Sequence, residues 1–222
     1  MQVPMPSATH APPKNKDLHG NVPDASPVVV IAIDVMNDLE FEGGEALVEP
    51  AERMADCLAD LLRRAREAGV AVIYSNDNFG RWRSDFHQQV DHCTNEDVRG
   101  RNVARRLLPA KDDYFVLKPK HSSFFATALD TLLSYLGART LVLTGLTTDS
   151  CILATAIDAD MRDFNVVVPD DCVAALSPER HERAIAHLRD VLDVQVLPGA
   201  EIDFAALLAA ARDESEKATA ER

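Results

Sequence analysis

Residues 26–34 read SPVVVIAID, and this stretch decides the fold. Val28 to Ile33 form an unbroken apolar run dominated by β-branched side chains, with no polar alternation. That pattern belongs to a strand covered on both faces, as in parallel sheets flanked by helices. Asp34 follows at once, a carboxylate at the point where the strand must leave the sheet.

The same punctuation recurs along the chain. VAVIYS (70–75), DYFVLKP (113–119), RTLVLTG (139–145), NVVVPDD (165–171) and VQVLPG (194–199) read as five further strands. Between them lie amphipathic segments. Met54, Leu58, Leu61, Leu62 and Ala65 mark one stripe of a helix over 48–68, with Gly69 as its stop. FFATALDTLLSYLG (124–137), SCILATAIDADMRD (150–163) and SPERHERAIAHLRDVL (177–192) read as three more helices. The segment 76–100 is too polar for core and reads as a long functional loop, with a helix after it around Val103 and Leu107. Strands alternating with helices predict an α/β fold: three layers, α-β-α, around a mostly parallel six-stranded sheet.

Composition bounds the rest. The chain has 222 residues and a net charge of −13, which argues against a nucleic-acid partner and against anionic membranes. No apolar stretch reaches membrane-spanning length. Residues 1–26 carry no apolar signal core and read as a disordered lead-in, so a cytoplasmic location is expected. Residues 27–210 form the expected single domain, and 211–222 a charged tail that frays. Cys57, Cys93, Cys151 and Cys172 are far apart, with no C-x-x-C pair and no zinc spacing, and are read as free thiols.

In a parallel sheet, ligands collect at the C-terminal ends of the strands. Three residues with chemical potential fall there: Asp34, Lys118 at the end of DYFVLK, and Cys151 just past RTLVLTG. Each has a bland reading, as a turn-former, a solvated lysine and a small buried hydrophobe. Together they supply a base, an orienting cation and a nucleophile, the set that covalent catalysis requires. A start-of-helix position and a neighbouring lysine are expected to lower the thiol pKa, and Asp149 to oppose that unless it turns outward. His87 and His121 have no partner in the sequence and are read as ordinary histidines.

The chain resembles the isochorismatase-like cysteine hydrolases from about Val28 to Pro198. The resemblance is carried by AIDVMNDLE (32–40), LKPKHSSFFATALDTLL (117–133) and TLVLTGLTTDSCILATAIDA (140–159). It implies a Rossmann-like isochorismatase-type hydrolase fold and an Asp34, Lys118 and Cys151 triad. It also implies a cis Leu146–Thr147 peptide, with backbone N–H groups of Thr147 and Cys151 as an oxyanion hole. Metal-dependent nicotinamidases of the family carry an acid-aromatic-His element after the second strand; here SNDNFGRW (75–82) has Phe79 in place of the histidine. No metal and no cofactor are therefore expected. Members that cleave a vinyl ether commonly lack the cysteine, which this chain keeps.

The expected activity is hydrolysis of a C–N bond in a small amide, ureido or carbamoyl substrate through a thioester. Asp34 serves as base, then as acid to the leaving amine, then as base to water. The alternatives are vinyl ether hydrolysis and a non-catalytic binding protein on the same fold. Asn78, Phe79 and Trp82 are expected at the pocket mouth, with Arg81 or Arg83 meeting a substrate carboxylate, or else these residues merely anchor a surface loop. Phe124 is expected as another pocket wall or as core. The resemblance implies a homo-oligomer, dimer or tetramer, whose neighbouring subunit can complete the pocket.

Overall fold

The computed structural model describes residues 25–78 and 85–220. Phe79, Arg81, Trp82 and Arg83 lie outside the described residues, as does almost all of the expected lead-in. Ser26 already belongs to the fold: it is buried and its N–H donates to the Leu136 carbonyl at 2.8 Å.

Strand β1 (Val28–Ile33) is followed by helix α1 (Glu45–Glu67) and β2 (Ala71–Asp77). Helices α2 (Phe86–Asn95) and α3 (Arg101–Arg106) precede β3 (Tyr114–Lys118). Then come α4 (Leu129–Leu136), β4 (Thr140–Leu146), a turn of π-helix over Thr148–Ile152, α5 (Leu153–Asp160) and β5 (Asn165–Pro169). A two-residue strand β6 (Val173–Ala174), α6 (Pro178–Val191), β7 (Gln195–Leu197) and α7 (Phe204–Ala220) complete the chain.

The sheet runs β3-β2-β1-β4-β5-β7, with β6 added beside the end of β4, and every pair is parallel. Chain order reverses between β1 and β4, so the crevice outside their C-terminal ends is the place for a ligand. The apolar run of β1 divides by the two-residue period of a strand. Val28, Val30 and Ala32 face a core built with α1, α2, α3 and α7; Val29, Ile31 and Ile33 face one built with α4, α5 and α6. Burial on both faces is why β1 shows no polar alternation. The fold is thus the three-layer α/β sandwich expected, with six strands in line and the short β6 as a seventh.

Two expectations are corrected. Segment 76–100 contains a helix, α2, started by Asp85, whose carboxylate accepts from the His87 N–H at 2.8 Å. Helix α4 begins at Leu129 and not at Phe124, because residues 119–128 are spent on side-chain-bonded turns. Helix α7 runs through to Ala220, into the segment read as a charged tail.

Gly145 shows how tightly the switch point is built. It pairs with Ile33, its φ is +105°, and a Cβ there would sit 2.1 Å from the Ile33 carbonyl oxygen. Gly145→Ala is therefore expected to destabilise the fold by more than about 4 kcal/mol, the range of backbone clash with strain. Denaturant unfolding of the purified variant measures this; a stability within about 1 kcal/mol of the parent would contradict it.

Candidate active site

Four strand ends form the floor of the site. Lys118 ends β3 and is wholly buried, yet its ammonium is fully used. Nζ lies 2.8 Å from Asp34 Oδ2, 3.4 Å from Cys151 Sγ and 3.2 Å from the Lys120 carbonyl. The lysine stem crosses the end of β2 to reach Asp34, which an ammonium on a four-carbon chain can do. Asp34 stands in the left-handed region, φ +53°, which Asp tolerates better than most residues. Its Oδ1 accepts from the Asp77 N–H at 2.7 Å, and its own N–H donates to Ser75 at 2.9 Å. The carboxylate is thus held from two sides, by the end of β2 and by the lysine that reaches over from β3.

Cys151 lies in the π-turn between β4 and α5, a widened turn of the kind that recurs at functional sites. A buried hydroxyl chain fixes the backbone there. The Thr155 hydroxyl donates to the Cys151 carbonyl at 2.7 Å and accepts from the Ser123 N–H at 3.1 Å, and the Ser75 hydroxyl donates to Ser123 Oγ at 2.8 Å. β2, the segment after β3 and the π-turn are thereby tied together. The Leu146–Thr147 peptide is cis, as the resemblance implied.

The electrostatics differ from the expectation of an easily formed thiolate. Burial first, then the Asp34 charge, push the Cys151 thiol up to about 12, and Lys118 only partly offsets them. Asp149 is not among the charges acting on the sulfur; its Oδ2 is held by Arg180 Nε at 2.5 Å. Burial also raises the Asp34 carboxyl, against the pull of Lys118. For Lys118, burial works against the charge, but Asp34 and Cys151 outweigh it and the ammonium is retained. The resting state is a protonated thiol beside a carboxylate of raised basicity, itself paired to an ammonium. Alkylation of Cys151 by iodoacetamide should therefore climb about tenfold per pH unit from pH 7 to pH 10, following the thiolate fraction. Residue-resolved mass spectrometry checks this, and a rate already level at neutral pH would contradict it.

Above these groups opens a cavity of about 540 Å³ lined by Asp34, Asp77, Cys151, His121, Thr147 and Arg180, among others. Of the expected pocket residues, Asn78 is buried beside the floor, its N–H donating to the Lys118 carbonyl at 3.0 Å, and it does not line the cavity. Phe124 belongs to the core under α4 and α5, with the Arg162 guanidinium 4.6 Å from its ring centre. It is not a cavity wall, because the turn at 122–124 directs it inward. Sequence reading missed His121, whose Nδ1 lies 3.1 Å from Ser150 Oγ and 3.8 Å from Cys151 Sγ. It also missed Arg180, which follows the Ser177 cap at the start of α6. The rim rule that found Lys118 points equally to His121, three residues further on the same strand exit.

The other thiols are free: Cys93 and Cys172 are buried, and Cys57 is exposed on α1. Among the described residues no cluster of three His, Cys, Asp or Glu could hold a metal ion, and no helix is long and apolar enough to cross a membrane.

Known proteins resemble this chain in sequence and fold. The sequence model of the Isochorismatase domain matches residues 28–197. The isochorismatase family protein YaaI of Bacillus subtilis is 36% identical over 167 residues, spanning 75% of this chain and 91% of the relative. The maleamate amidohydrolase of Pseudomonas putida is 28% identical over 173 residues, spanning 73% and 78%. The crystal structure of the nicotinamidase PncA from Bacillus subtilis superposes with a TM-score of 0.61 at 30% identity, covering 77% of this chain and 99% of that one. Fold, matched span and identity agree: the chain belongs to the isochorismatase family, within the isochorismatase-like hydrolases, whose members include amidohydrolases.

Proposed function

We propose that the protein hydrolyses a C–N bond in a small amide, ureido or carbamoyl compound, with Cys151 as nucleophile, Asp34 as its base and Lys118 as the cation that orients both. The observation that carries this reading is the position of one buried ammonium between carboxylate and sulfur, 2.8 Å from one and 3.4 Å from the other, at the floor of an open cavity. A structural ion pair has no need of the thiol. A thiol at about 12 cannot attack as a resting thiolate, so its proton must leave as the bond forms, and Asp34 is the carboxylate in contact with it. Sulfur then bonds to the carbonyl carbon, the oxygen takes the charge on backbone N–H groups at Thr147 and Cys151, and the C–N bond breaks to a thioester as the leaving nitrogen takes up a proton in the cavity. Water cleaves the thioester, giving up a proton that replaces the one taken by nitrogen, and Asp34 returns its own proton to the sulfur.

The amidohydrolase and the nicotinamidase among the relatives act on C–N bonds, in keeping with this class. The test is a turnover panel of short carboxylated amides, ureides and carbamoyl compounds beside an isochorismate-type vinyl ether. Ammonia or amine release that disappears in Cys151→Ala is the expected result. Turnover confined to the vinyl ether, or surviving in Cys151→Ala, would refute the reading.

A further inference from the structure

Asp34 is poorly disposed to serve every proton in this cycle. Oδ2 is engaged by Lys118 and Oδ1 by the Asp77 N–H, and both contacts hold the carboxylate against the sheet. The leaving nitrogen and the hydrolytic water must occupy the cavity above, and a proton has to be delivered to one and taken from the other. His121 borders that cavity and is exposed to it. Its Nδ1 lies 3.8 Å from Sγ and 3.1 Å from Ser150 Oγ, and no described residue is bonded to Nε2. The backbone on either side of His121 is held in place. Its neighbour Ser122 is bonded to Asp158, the Ser123 N–H donates to Thr155, and Lys118 donates to the carbonyl of Lys120. An imidazole in reach of the nucleophile, carried by a chain anchored on both sides, has the geometry of an acid-base group.

Building on the thioester reading above, we propose that His121 is a second catalytic residue: it gives the proton to the leaving nitrogen and then takes one from the attacking water. The cycle balances. The thiol proton passes to Asp34 as the S–C bond forms; protonated His121 gives its proton to nitrogen as the C–N bond breaks. Neutral His121 then removes a proton from water as the C–O bond forms, the S–C bond breaks, and Asp34 returns its proton to sulfur. Asp34 thus serves the sulfur, and His121 serves the nitrogen and the water.

The test uses p-nitrophenyl acetate, whose p-nitrophenolate leaves without needing a proton. Stopped-flow release should show a burst, the acylation of Cys151, followed by steady turnover limited by thioester hydrolysis. In His121→Gln the burst rate should stay within about threefold of the parent, while steady turnover falls about 100- to 1000-fold, the usual worth of a general base. In His121→Ala, added imidazole should restore steady turnover, measured against Cys151→Ser to subtract reaction in solution. An unchanged steady rate in His121→Gln would overturn the proposal. So would a burst that slows as much as turnover, or a slow His121→Ala protein that imidazole does not accelerate, since either assigns the loss to packing around the sulfur. A parent protein with no Cys151-dependent burst would instead refute the thioester reading itself, and this proposal with it.

Discussion

Cys151→Ala and Cys151→Ser are expected to lower turnover by at least about 10⁴-fold, as loss of a nucleophile does when the rest of the site is intact. The serine variant is the sharper case. Its hydroxyl is far less acidic than a thiol, and the site already raises the cysteine to about 12. Asp34, whose basicity is raised chiefly by burial, is matched to a thiol and cannot deprotonate an alcohol appreciably. The fold should be indifferent to either change. Cys151 is only partly buried at the cavity floor, and the chain around it is held by Thr155 acting on its backbone carbonyl. Melting temperatures close to the parent, with turnover gone, are the expected pair of results. A serine variant keeping more than about a tenth of the parent rate would remove Cys151 from the chemistry.

The second large effect concerns Lys118. Its side chain is fully buried, and Asp34 is nearly so. Breaking a buried pair by removing one partner strands the other charge and costs about 3 kcal/mol or more. Lys118→Met should therefore lower the melting temperature by roughly 10 °C for a chain of this size. Turnover should fall at least about 100-fold, because Asp34 then binds a proton and cannot accept one from the thiol. The double variant Asp34→Asn with Lys118→Met separates the two effects. Stability should recover in large part, since two contacting partners are removed together and their losses are not additive. Turnover should not recover. A double variant as unstable as the sum of its parents would mean that the pair contributes little, whereas recovered turnover would take both groups out of the mechanism. Thermal unfolding and the turnover assay, run on the same preparations, distinguish these outcomes.

The contrast between what the sequence announces and what it conceals follows from range. β1 is legible because Val28 to Ile33 are buried on both faces, and burial on both faces leaves no polar alternation. Asp34, Lys118 and Cys151 are legible because they interrupt such runs, and because a parallel sheet brings all strand ends to one rim. Helix α2 is hidden: only Phe86, Gln89, Cys93 and Thr94 of its ten residues are buried, too short a stripe to stand out in a polar segment. Phe124 has the same local sequence whether it lines a pocket or a core, and the Ser122 hydroxyl accepting from its N–H is what turns it inward. The thiol pKa is hidden from the sequence for a related reason. A helix start and a nearby lysine are visible in sequence, but the burial and the Asp34 contact that outweigh them are tertiary. His121 has no partner in its local sequence, because its partners, Ser150 and Cys151, lie 29 and 30 residues away.

The fold places the three residues, but the claim that matters most is that sulfur becomes acylated. Incubating the protein with the panel of short amides and ureides, quenching in acid within a turnover and mapping the peptides by mass spectrometry tests this directly. The expected result is a mass increase equal to the acyl portion of a turned-over substrate, confined to the peptide containing Cys151 and absent from Cys151→Ser. Turnover of such a substrate with the Cys151 peptide unmodified under every quench, or an acyl group found on another residue, would contradict it.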